Sequence, residues 1–214
     1  MLNNIPEELR RLPQWVITNR SKVPLNPRNG GMASVTDPST WGTFQEAVGA
    51  GGDYVGFVLT PGDPYTIIDL DNKPDDPATP EQLARHHKIL EAFDSYTELS
   101  ASRSGYHIIV RGAIPAGVHR DKVEMYSSSR YMICTGQVVR NSPIRDYQTL
   151  LDVLYGEMAP APVVDLVEQE GILSDEEVLE MALNAVNGDK FDQLCKGDWQ
   201  GMGFLGNGDA YKTN

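Results

Sequence analysis

Apolar positions along this chain mostly fall in short runs with the alternation or continuity of strands, divided by glycine, proline and aspartate. "QWVITNR" (14–20), "YVGFVL" (54–59) and "YTIIDL" (65–70) read as strands, and so do "YTELS", "YHIIVRG", "KVEMYSS" and "RYMICTG" up to Gly136. The link "TPGDP" between residues 59 and 65 has turn chemistry, which predicts that 54–59 and 65–70 form an antiparallel pair. Helical spacing is expected over residues 4–11 and from a Thr40 cap through 49. A longer helix is expected from about Pro80 to Phe93, with Leu83, Ala84, His87 and Leu90 on one side. "QTLLDVLYG" (148–156) reads as a closing helix, and "SDEEVLEMALNAV" (174–186) has Ser174 and Glu177 in a capping-box pattern. Residues 21–40 form a long loop rich in proline and glycine, a length that is often functional.

Mixed helices and hairpin-like strands favour an α+β fold with helices on one face of a sheet over a doubly wound parallel sheet. The expected organisation is a domain over 1–156, a proline-bearing linker over 157–173, and the start of a helical domain over 174–214. The glycine-rich end, "GDWQGMGFLGNGDAYKTN", reads as a chain cut within that domain.

Composition narrows the classes. With 40% hydrophobic and 22% charged residues and no apolar run near the roughly 20 residues that span a bilayer, a membrane role is not expected. The first residues lack the apolar core of an export signal, so the expected location is the cytoplasm. Cys134 and Cys195 are far apart and read as free thiols rather than a zinc site or disulfide. The net charge of −12 argues against unselective polyanion binding, but it is unevenly spread. Residues 101–146 carry seven Lys/Arg against three Asp/Glu, whereas 147–214 carry three against thirteen. The middle segment is therefore the part suited to a phosphate-bearing partner.

Three stretches carry candidate chemistry. In "IIDLD", Asp69 and Asp71 are i and i+2 on a strand, so both carboxylates face one side with α-carbons about 6 to 7 Å apart. Such a pair can hold a hard divalent cation beside a substrate phosphate; it can equally be the acidic end of a strand. In "ELSASRSGYHIIVRG", Ser100, Ser102, Arg103, Ser104 and Gly105 crowd a turn before His107. Hydroxyls, a guanidinium, an imidazole and exposed N–H groups suit a phosphate cradle, or a serine-rich hairpin with a packed histidine. In "KVEMYSSSRYMICTG", Glu124 sits between apolar neighbours and Arg130 follows a serine-rich turn. Glu124 either faces solvent or supplies the third carboxylate of a site for two cations roughly 3.5 to 4 Å apart. The adjacent His86 and His87 fall on the expected helix, unlike the HxH of a nickase strand, and read as structural.

Taken in order, these stretches resemble the archaeo-eukaryotic primase superfamily, in particular the primase-polymerases of phages and plasmids. "IIDLD", "SRSGYH" and "VEMYSSSRYMICTG" match its three motifs, and "LPQWVI", "SKVPLNP", "DPSTWGTFQEA" and "VGFVL" resemble the N-terminal part of phage-type members, over about residues 12–147. The resemblance implies an N-terminal α/β portion packed on a sheet like that of an RNA-recognition motif, with the active site between them. It also implies Asp69, Asp71 and Glu124 as catalytic metal ligands for two Mg²⁺ or Mn²⁺ ions. His107, Ser104, Ser102, Arg103, Arg130 and Lys22 would contact the nucleotide triphosphate. Expected partners are a single-stranded DNA template and NTPs or dNTPs, with a helicase fused downstream or acting in trans. Rival readings are a metal-dependent nuclease or phosphohydrolase and a non-catalytic replication-initiation module.

Overall fold

In the computed structural model, which describes residues 1–159, 174–185 and 188–196, the helix expected over 4–11 is divided at Pro6. Proline fixes φ and lacks an N–H, so a 3-10 turn covers Leu2–Asn4 and helix α1 begins only at Glu7, ending at Arg10. Helix α2, Phe44–Gly49, is capped by Thr43 and not by Thr40. Gly42 exchanges both backbone hydrogen bonds with Trp15, at 2.9 and 2.7 Å, and this extended pairing forbids an earlier start. The Thr43 hydroxyl accepts from Glu46 N while the Glu46 carboxylate accepts from Thr43 N, a complete capping box.

Among the described residues, ten short strands form two sheets in which every named pairing is antiparallel. The first orders β2 (Pro24–Leu25), β1 (Trp15–Thr18), β3 (Tyr54–Leu59) and β9 (Arg130–Cys134). The second orders β10 (Val138–Arg140), β5 (Thr97–Leu99), β6 (Tyr106–Arg111), β4 (Tyr65–Leu70), β8 (Val123–Tyr126) and β7 (Val118–Arg120). The α+β class expected from the pattern holds, but the pairing of 54–59 with 65–70 does not. β3 lies between β1 and β9, β4 lies between β6 and β8, and residues 60–64 carry the chain from one sheet to the other. Asp63 shapes that crossing by accepting from Thr60 N at 2.8 Å and from Gln14 Nε2 at 2.7 Å. The short edge strands β7 and β10 escaped the sequence reading, as three-residue edges carry little periodicity.

Alternation along β4 divides the interior into two cores. Ile67 joins Trp15, Phe57, Tyr96 and Ile109 between the two sheets. Ile68 and Leu70 point the other way and pack with Ile89 from α3 (Pro80–Ala92), with Phe93 at its C-terminal end, and with Leu151 and Leu154 from α4 (Gln148–Met158). The second sheet thus has helices on one face and the first sheet on the other. In α3 the buried positions are His86 and Ile89; Leu83 and Leu90 are half-buried, and Ala84 and His87 are exposed. The helix is rotated from the face drawn by apolar residues alone because His86 Nε2 bonds the Lys122 carbonyl at 3.1 Å, making a polar residue an interior one.

The chain divides into two compact units, Met1–Pro160 and Ala161–Asn214. α4 runs to Met158, past the domain edge expected at 156, and most of the expected linker and the glycine-rich end lie outside the described residues. In the second unit, α5 (Asp175–Leu183) carries the expected Ser174–Glu177 capping box and α6 spans Gly188–Cys195. Among the described residues, no helix is long and apolar enough to cross a membrane.

Candidate active site

Strand register builds the site. Asp69 on β4 is paired directly with His107 on β6 and with Glu124 on β8, and His107 is paired in turn with Glu98 on β5. Residues paired across antiparallel strands project to the same face, so Glu98, His107, Asp69 and Glu124 form one row across the second sheet. The row points toward the first sheet, on the side of Ile67 and Ile109. Asp71, two residues beyond Asp69, has left the strand but keeps one ladder bond, its N–H reaching the Lys122 carbonyl at 2.8 Å.

These side chains line a cleft of about 300 Å³ between the sheets. Asp69, Asp71, His107 and Glu124 supply one wall; Leu59 of β3 and residues 130–133 of β9 supply the other, with Lys22 at the rim. The acids are close enough to feel one another. Burial raises the Asp69 pKa most, His107 opposes that rise, and Glu124 and Asp71 add to it. Each of the other two carboxylates has a cation: Lys73 Nζ lies 2.6 Å from Asp71 Oδ2, and Arg130 lies 3.5 Å from Glu124 Oε2. The bond to Asp71 raises the Lys73 pKa. Tyr126 donates to Glu124 Oε2 at 2.8 Å, and Arg130 stacks over its ring at 4.6 Å. Burial and that bond push the Tyr126 phenol up to about 12. As they stand, no three acidic, histidine or cysteine side chains among the described residues converge on one metal position.

His107 is buried, with Nε2 facing Asp69 Oδ1 at 3.8 Å and Nδ1 facing Glu98 Oε1 at 3.6 Å. Burial alone disfavours its charged form, but Glu98 and Asp69 outweigh it and raise the imidazole pKa. Both contacts exceed hydrogen-bond length, so the attraction is one of charge.

The serine-rich turn is only partly in the cleft. Ser100 and Ser102 line it, and their hydroxyls lie 3.0 Å apart. Ser104 and Arg103 are not among the lining residues. The Ser104 hydroxyl donates to the Asn72 carbonyl, and Arg103 is exposed with a positive φ of 62°. Gly105 permits this docking: a Cβ there would stand 2.5 Å from the Leu70 carbonyl. Lys22 and Arg130 both line the cleft, and the Tyr131 hydroxyl bonds the Lys22 carbonyl, joining the 21–40 loop to β9.

Two residues here were absent from the sequence-based candidates. Lys73 had a visible signal, standing two residues after Asp71. Glu98 had a fainter one, a lone acid inside a strand.

No family model matches the chain. The DNA primase-polymerase of Nitratiruptor phage NrS-1 is 37% identical across 206 aligned positions, which take in 85% of this chain and 28% of that protein. The chain therefore spans little more than a quarter of the length of this relative. Its sequence is related to a phage DNA primase-polymerase, the kind of protein its ordered motifs resemble.

Proposed function

We propose that this chain carries the catalytic part of a DNA-dependent nucleotidyltransferase, a primase-polymerase that makes and extends primers on single-stranded DNA. The observation that supports this most is the row Glu124, Asp69, His107 facing a cleft that Asp71 also lines. Two sheets enclosing that row also fit the primase arrangement, an N-terminal α/β portion against a sheet like that of an RNA-recognition motif.

The donor set suits Mg²⁺ or Mn²⁺, since Asp69, Asp71 and Glu124 offer only hard oxygen ligands and open onto solvent through the cleft. Burial raises the Asp69 pKa, and repulsion from Glu124 and Asp71 adds to the rise; a bound cation would relieve both. Lys73 and Arg130 would have to release their carboxylates for all three acids to ligate. When bound, two such ions would activate a primer 3′-hydroxyl and stabilise the leaving pyrophosphate. The chain's own groups bind and orient the nucleotide. His107 Nε2, the Ser100 and Ser102 hydroxyls, Arg130 and Lys22 surround the space that the triphosphate would occupy. Released Lys73 and Arg130 would be free to offset phosphate charge. The template would lie along the basic 101–146 segment, held through its phosphates and weakened by salt.

Primer extension on a labelled single-stranded template, with NTPs or dNTPs and Mg²⁺ or Mn²⁺, tests the proposal. Elongation is expected, and Asp69→Asn or Asp71→Asn should lower it by at least about a hundredfold, the scale of losing one preorganised electrostatic partner. Both variants should keep the parent's circular dichroism. Shortening of the DNA without elongation would instead identify a nuclease, and full activity in both variants would remove the acids from the site.

A further inference from the structure

Glu98 is fully buried, yet nothing in the proposed chemistry uses it. Its carboxylate is satisfied by three donors: Thr135 N at 2.8 Å on Oε1, and Gly136 N at 2.9 Å and Tyr96 Oη at 2.9 Å on Oε2. The two successive N–H groups form a small anion-binding nest, which Gly136 makes possible with a φ of +62°. A carboxylate so fixed has one free direction, and there it meets His107 Nδ1 at 3.6 Å. That nitrogen is buried and has no hydrogen-bond partner among the described residues.

We infer that Glu98 is a positioning residue: it holds the proton of His107 on Nδ1 and so aims Nε2 at the cleft. The geometry leaves Nδ1 no second acceptor, and a movement of about half an ångström closes the contact to hydrogen-bond length. The nest belongs to the segment that leaves β9, the strand forming the opposite wall. Glu98 therefore references the imidazole to both walls at once. Supporting partners of this kind fix the tautomer and ring orientation of functional histidines. What His107 then does to a nucleotide rests on the nucleotidyl-transfer reading; the Glu98–His107 pairing does not.

The test uses the full chain labelled with [¹⁵N]histidine, with nucleotide KM measured alongside. Nitrogen spectra of the parent should show His107 Nδ1 carrying the proton across the range of folded pH. A His107 protonated only on Nε2 would overturn the proposal without any variant. Glu98→Gln should shift the His107 nitrogens and raise nucleotide KM roughly tenfold, toward the low end for supporting partners of site residues. Glu98→Asp should restore part of the KM. In a His107→Ala background, Glu98→Gln should add nothing further; an undiminished effect there would make Glu98 merely structural. If Glu98→Gln fails to fold because its three donors lose an acceptor, the parent spectrum and Glu98→Asp still decide. If the parent neither binds nor incorporates nucleotide, the functional reading falls while the nitrogen spectrum still judges the pairing.

Discussion

His86 and His107 are both interior imidazoles, and their surroundings push their protonation in opposite directions. Burial lowers the His86 pKa below 6.5, the bond to the Lys122 carbonyl recovering only part of the loss. At His107 two carboxylates overcome burial and raise it. A base whose folded-state pKa is depressed stabilises the fold above its unfolded value, and that contribution is lost as pH falls through the folded value. His86→Gln, which keeps a donor for the carbonyl, should therefore flatten the loss of stability below pH 6.5; urea midpoints measured down to pH 5 would show it. An unchanged slope would mean that His86 does not titrate with unfolding. His107 has the opposite sign, contributing fully below its unfolded value and losing that as pH rises through the folded one. At this scale the sequence was readable where spacing alone defines geometry, as with Asp69 and Asp71. It was silent where a residue's meaning depends on a distant partner. Glu98 looks like any strand acid until Thr135 and Gly136 are brought to it, and Ser104 looks like a phosphate contact until Asn72 claims its hydroxyl.

Elements were legible in extent and poorly legible in pairing. The bounds Tyr54–Leu59, Tyr65–Leu70 and nearly all of Pro80–Ala92 follow from apolar runs and from proline and glycine punctuation. Which strand lies beside which does not, because a five-residue turn between two apolar strands looks the same whether it closes a hairpin or passes between sheets. The 100–105 turn shows how an element holds side chains at a site through its own backbone bonds. Ser100 N bonds the Gly105 carbonyl at 2.9 Å, Arg103 N bonds the Ser100 carbonyl at 2.9 Å, and Gly105 lets the turn sit against the end of β4. Gly105→Ala should cost about 1–3 kcal/mol, the usual range for overpacking, and should push Ser100 and Ser102 away from Asp69 and Asp71. Thermal unfolding reads the first effect. Nucleotide KM reads the second, and a rise in KM without loss of stability would show that the turn yields in place of the strand.

For the whole molecule, every candidate residue of the cleft lies within Met1–Pro160. A chain of residues 1–160 should unfold in one transition and still extend primers on single-stranded DNA. Loss of extension with the fold intact would assign part of the activity to residues 161–214. The charge distribution agrees, since the acidic excess of the chain lies mainly after residue 147 while the segment with His107 and Arg130 is basic.

The two walls of the cleft are joined by three short chain crossings: 60–64 between β3 and β4, 127–129 between β8 and β9, and 135–137 between β9 and β10. Two lie at one end of the walls, where Leu59 pairs with Arg130, and the third lies at the other. The gap is thus set by covalent chain length at both ends. Sequence drift can exchange side chains along it freely, but the number of residues in those crossings acts as a caliper. A single inserted residue of any chemistry in 127–129 would spoil the fit to the proposed triphosphate more surely than many substitutions.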